Sequence, residues 1–163
     1  PPLSPKEFRI YNRLAEHMEH FHTSFKMEYN TLLKATDPKT KKPPLSPKAL
    51  LTHCQEFMHH LDIHHKIEET HIFPVLARRM PAFRRELALV GQHRAIHAGM
   101  DALGAYVAEC RGGARELDRA EVRRLLEGFG GVLLAHLDEE VFALRAENMR
   151  SFWSISEMSA LPI

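Results

Sequence analysis

Three segments carry side chains spaced four residues apart that could do metal chemistry in this sequence. Within His64-His65-Lys66-Ile67-Glu68-Glu69, His64 precedes Glu68 by four and His65 precedes Glu69 by four. His93-Arg94-Ala95-Ile96-His97 places two imidazoles at the same spacing, and His136 precedes Glu140 in His136-Leu137-Asp138-Glu139-Glu140. On a helix such residues share one face, with Cβ atoms about 5–6 Å apart. Each pair can therefore grip one metal ion, or two ions lying close together. His17, His20 and His22 add single imidazoles upstream, and the chain holds 12 histidines among 163 residues.

These pairs need helices to hold them, and the sequence supplies four long ones. Ser4-Pro5-Lys6-Glu7 is a helix start, with a capping serine, a proline in the first turn and an acid three residues on. Apolar residues at Tyr11, Leu14, Met18, Phe21, Phe25, Tyr29 and Leu32 then step by threes and fours. The predicted helices cover 5–34, 48–80, 82–110 and 117–149. The proline-rich stretch 35–47 is a loop, and Gly112-Gly113 ends the third helix. Pro74 should kink or break the second helix. Gly128, Gly130 and Gly131 in the fourth mark either a local break or a close approach to a neighbour. The tail from Arg150 is short, with Phe152 and Trp153 packing back. No strand-like alternation is visible. The expected fold is all-α, an up-down-up-down four-helix bundle with short terminal extensions, forming one domain over residues 1–163.

Helical phase sorts the histidines. His22 lies mid-stripe among Met18, Phe25, Tyr29 and Leu32, whereas His20 points to the opposite side and His17 lies off the stripe. His93 and His97 share a face with Leu89, Met100 and Leu103. His136 and Glu140 share one with Leu133 and Ala143. A polar group on an apolar face needs a partner, because leaving it unsatisfied costs about 1–3 kcal/mol, and a buried carboxylate must be paired or bound to metal. One such histidine is ordinarily a satisfied core residue, and one His–Glu pair a surface salt bridge. Three pairs and a central histidine facing one core argue for metal. Phase does not decide between His64/Glu68 and His65/Glu69, because His65 lines up with Met58, Leu61 and Ile72. His17, His20, His53, His59, His60, His65 and His71 are assigned as bystanders, with His53, His60 and His71 near enough to support a ligand.

Composition narrows the function classes. Lys plus Arg is 22 and Asp plus Glu 21, a formal charge of +1 without the basic excess of a nucleic-acid binder. Apolar runs fall far short of the ~20 residues of a membrane span, and no secretory signal is visible. Cys54 and Cys110 read as reduced helix residues, so a cytoplasmic setting is expected. Nothing defines the oligomeric state. Five imidazoles and two carboxylates exceed a tetrahedral zinc site, and thiolates are lacking. The set suits two five- or six-coordinate ions, with iron ahead of manganese or zinc.

The chain resembles the hemerythrin-type (HHE cation-binding) domain from about Leu14 to Met149, and looks most like fungal members. The matching stretches are HHKIEETHIFP (64–74), QHRAIH (92–97) and HLDEE (136–140). The resemblance implies a non-haem di-iron centre inside the bundle. Carried over, one iron takes His93, His97 and His136, the other takes His22 and His64, and Glu68 and Glu140 bridge. Counting back from the family's proline, here Pro74, selects His64/Glu68. Oxygen carriers place the last carboxylate five residues after the histidine; Glu140 is four after His136, which weakens a carrier role. The implied function is binding of O2, NO or peroxide, or iron or redox sensing. The alternative is a di-iron oxidase, peroxidase or oxygenase acting on a small molecule. An enzyme would need an acid, tyrosine or pocket beside the centre. Tyr29 and Tyr106 are the candidates, with core packing their simpler role.

Overall fold

The computed structural model describes residues 1–84 and 88–163, residue 88 by its backbone. Helix α1 spans Pro5–Ala35. The Ser4 hydroxyl accepts from the Glu7 N–H and the Glu7 carboxylate accepts from the Ser4 N–H, satisfying two otherwise orphaned donors. Helix α2 spans Pro47–Ile67 and opens on Ser46, whose hydroxyl accepts from the Ala49 N–H.

Helix α2 stops short of residue 80. A π-helical turn over Glu68–Ile72 follows it, then a short helix α3, Phe73–Leu76. Pro74 accounts for the break, because it has no N–H and its ring would strike the Thr70 carbonyl of a regular helix. The Phe73 N–H reaches back five residues to the Glu68 carbonyl, widening the turn at Glu68.

A 3-10 turn, Pro81–Phe83, precedes helix α4, Ala88–Arg111. The third helix was expected from 82; residues 85–87 of that span lie outside the described residues. Helix α5 covers Arg119–Leu144 and is capped by Asp118. It ends where Arg145 turns extended and the Ala146 N–H donates to Asn12 Oδ1, starting helix α6, Ala146–Met149. Helix α7, Ile155–Ala160, carries a second reciprocal cap between Ser154 and Glu157. The tail does pack back: Trp153 is buried, and its carbonyl accepts from the Tyr11 hydroxyl at 2.9 Å.

Cross-helix contacts define the topology. Along α1, Asn12, His22, Tyr29 and Arg123-bonded Leu33 meet Ala146, Leu137, Leu126 and Arg123 in turn, so α1 and α5 are antiparallel. Phe21 with His64 and Tyr29 with Phe57 show the same for α1 and α2. His93 with His136 and Tyr106 with Asp118 show it for α4 and α5. His65 with His93 and Thr52 with Arg111 show it for α2 and α4. The result is an up-down-up-down four-helix bundle, and no strand occurs among the described residues.

Helix α5 runs unbroken through its glycines. Gly130 is a close approach: a Cβ there would meet Tyr29 Oη at 1.8 Å, whereas Gly128 and Gly131 have nothing within 4 Å. Tyr29 packs against this gap and donates to the Leu126 carbonyl, and Tyr106 accepts from the Asp118 N–H at the far end of α4. Both tyrosines serve packing and capping.

The core is divided. One apolar cluster runs from Phe25 and Leu61 through Ile96 to Leu133 and Leu137. The other holds Tyr11, Met18, Phe73, Leu89, Val141 and Trp153. Between them lies a buried polar layer: His22, His65, Glu68, His93, His136 and Glu140.

Candidate metal centre

Each long helix sends imidazole or carboxylate groups into this layer. His22 comes from α1, His64 and His65 from α2, Glu68 from the π-turn, His93 from α4, and His136 and Glu140 from α5. Ligand atoms of His65, Glu68, His93 and His136 all lie within 4.8 Å of one another, as do those of His22, His64 and Glu140.

The two carboxylates tie the groups together. Glu140 presents Oε1 to His22 Nε2 at 3.4 Å and Oε2 to His136 Nε2 at 3.0 Å. Glu68 Oε1 lies 3.2 Å from His64 Nε2 and 3.7 Å from His93 Nε2. Each glutamate therefore faces both groups, as a bridging ligand must.

Three imidazoles are oriented from outside the layer. His22 Nδ1–H donates to the Leu137 carbonyl at 2.9 Å, and His93 Nδ1–H to Glu69 Oε1 at 2.9 Å. His136 Nδ1–H donates to Gln92 Oε1 at 2.9 Å, and Gln92 Nε2 donates to Glu139 at 2.7 Å, which fixes the amide's orientation. A proton on Nδ1 leaves Nε2 bare, so all three rings aim a lone pair inward. This is the outer support that metal-binding histidines characteristically have.

The layer is unsatisfied as it stands. His22 Nε2, His64 Nε2, both His65 nitrogens and all four oxygens of Glu68 and Glu140 are buried without a hydrogen-bond partner. Each such orphan costs roughly 1–3 kcal/mol, and a cation among them converts the deficit into coordination. The residues fit a metal pair.

Burial sets the protonation states. It pulls His64 and His93 down to about 4 and His65 to about 2, so all three are neutral at neutral pH, as a ligand must be. Burial and then the Glu140 charge raise Glu68. Burial also opposes ionisation of Glu140, but contacts with Glu68, His136 and His22 hold it well below the usual carboxylate range.

Six of the seven predicted ligands converge: His22, His64, Glu68, His93, His136 and Glu140. His97 does not. One turn beyond His93, it is rotated toward the surface, its side chain is 32% exposed, and Nδ1 faces Asp62 at 3.9 Å. Ile96 takes the buried position instead.

His65, assigned as a bystander, fills the place expected of His97. It is fully buried and stacks on His93 with centroids 3.8 Å apart and planes at 14°. Its phase with Met58 and Leu61 was the available signal. Both adjacent histidines enter because the group of His64 lies toward α1 and that of His65 toward α4. The remaining bystanders, His17, His20, His53, His59, His60 and His71, are exposed.

The hemerythrin HHE cation-binding domain matches residues 13–144. The chain belongs to this family. A relative within the known proteins is the dimeric xanthone biosynthesis cluster protein R11 of Cryptosporiopsis sp. (strain 8999), 25% identical over 150 residues. That match covers 88% of this chain and 56% of R11, so the HHE chain spans little more than half its relative's length. No solved structure matches it. None of its described helices is long and apolar enough to cross a membrane.

Proposed function

We propose that this HHE domain is a non-haem di-iron protein whose centre binds O2 or a related small ligand such as NO or peroxide. The observation that carries the reading is the ring of inward-facing, unpartnered imidazole and carboxylate atoms in an otherwise apolar core. In this reading His22 and His64 hold one ion, and His65, His93 and His136 the other. Glu68 and Glu140 bridge. A neutral-imidazole and carboxylate set without thiolate suits iron, with manganese or zinc as poorer fits. Two iron ions held by these residues would supply reversible ferrous/ferric redox chemistry, one electron each, toward O2.

The protein's own groups prepare that chemistry. Leu137, Glu69 and Gln92 orient three imidazoles, burial keeps His93 unprotonated, and apolar clusters flank the layer on either side. The unpaired cysteines Cys54 and Cys110 suit a cytoplasmic setting.

The second reading, a di-iron oxidase, peroxidase or oxygenase acting on a small molecule, is favoured by an apolar cavity that reaches His64 and Glu68. The relative's name, which refers to a biosynthesis cluster, points the same way.

Metal analysis of untagged protein tests the centre, with about two iron ions per chain expected. A normally folded protein with no bound metal after iron loading overturns it. Anaerobic reduction followed by optical titration with O2 tests the ligand. A saturable change without continuing O2 uptake supports binding; steady uptake with an added reductant supports the enzyme.

A further inference from the structure

Between α1 and α2 lies a cavity of about 620 Å³ that no ligand role explains. A diatomic ligand needs far less, since a water molecule claims only about 30 Å³ of liquid volume. The cavity falls within the range that takes up organic molecules.

Its walls are apolar side chains that folding leaves uncovered. Phe21, Ile63 and Ile67 are 43%, 42% and 47% exposed, yet all three line this one space. Isolated surface apolar residues need no explanation, but a contiguous concave group marks a binding site. Phe25 continues the wall inward and meets the His64 ring edge-on at 5.0 Å; Phe21 approaches the same ring at 5.7 Å. Such ring edges and faces favour an aromatic guest.

The floor is different in kind. Glu68 is fully buried with both oxygens unpartnered, and His64 Nε2 is likewise unpartnered. Both line the cavity, so it ends on the candidate metal centre. Partway along, His60 Nδ1 and Glu28 pair across the two helices at 3.1 Å, which supplies a polar anchor.

We infer that this cavity binds a small aromatic molecule bearing a polar group such as a phenol hydroxyl, its ring between Phe21 and Ile63 and one edge toward His64 and Glu68. A second copy of the chain or a peptide could cover the rim, but would leave the polar floor unfilled. The inference rests on the di-iron reading only for what lies at the floor.

Fluorescence titration with 2-naphthol, on iron-loaded and metal-free protein, tests it. Saturable binding is expected. Ile63→Trp, a change at an exposed wall position, should weaken it about tenfold or more while leaving iron content unchanged. Leu134→Trp, equally exposed but away from the cavity, should leave both unchanged. Absence of saturable binding overturns the inference, as does equal affinity in Ile63→Trp. Size-exclusion chromatography showing a dimer that Ile63→Trp dissociates, with no naphthol binding, assigns the cavity to a second copy and also overturns it. If no iron binds but naphthol does, and Ile63→Trp abolishes it, the di-iron reading falls and the cavity site stands.

Discussion

His93 Nε2 and His136 Nε2 face each other at 3.0 Å, while the Nδ1 atoms of the two rings are committed to Glu69 and Gln92. Two bare lone pairs at that distance repel unless a cation stands between or beside them. His136 Nε2 is also 3.0 Å from Glu140 Oε2, so its loss should remove most of the bound metal. Metal content should collapse in His136→Ala and be retained in His59→Ala, an exposed position.

The sharper comparison is between His65 and His97. His65→Ala should lose up to about half the metal, because it removes one of the three imidazoles of one of the two ligand groups. His97→Ala should keep the wild-type content. Measured iron per chain in the reverse order would mean that the α4 histidine swings inward on loading.

Glu69 and Gln92 act through the rings they orient. Glu69→Ala or Gln92→Ala should leave the fold intact and lower metal affinity about 10–100-fold. Competition with a chelator of known affinity reads this directly. Glu69→Gln should recover part of the loss, since its amide oxygen can still accept from His93 Nδ1.

The metal-free protein should become less stable in acid. His64, His65 and His93 stay neutral when folded, down to about 4, 2 and 4, and titrate near 6.5 when unfolded. Below pH 6.5 the unfolded chain therefore binds more protons. Stability present above that value is lost as the pH falls toward about 4, by up to about 1.4 kcal/mol per pH unit for each histidine. Glu68, raised by burial, acts in the opposite direction but is one group against three. Urea midpoints between pH 7.5 and 4.5 check the sign.

Two glycines in one helix should respond oppositely to alanine. Gly130→Ala forces Tyr29 aside and should cost about 1–3 kcal/mol. Gly128→Ala meets nothing and should gain up to about 1 kcal/mol from helix propensity. Thermal denaturation of both variants decides this.

The four long helices and most inward-facing ligands were readable because they rest on local rules: capping serines, apolar periodicity and four-residue spacing. His22 was found this way among Met18, Phe25 and Tyr29. The choice between His65 and His97 was not readable, because it depends on how far α2 and α4 are rotated against each other. The break after Ile67 was signalled by Pro74, but its form as a π-turn at Glu68 was not. The role of Gly130 required knowing where Tyr29 would arrive from α1. Helix α7 carries the same local signal, Ser154 with Glu157 three residues on.

The polar layer between the two apolar clusters has a mechanical consequence. The two buried apolar clusters are separate, so a cation held in the layer between them would rivet two half-cores together. Removing it should let the half containing Tyr11, Phe73 and Trp153 open without the half containing Phe57, Leu103 and Leu133. Amide exchange would then show two cooperative units in the metal-free protein and one in the loaded protein, making metal occupancy a control on which end of the bundle is free to unfold.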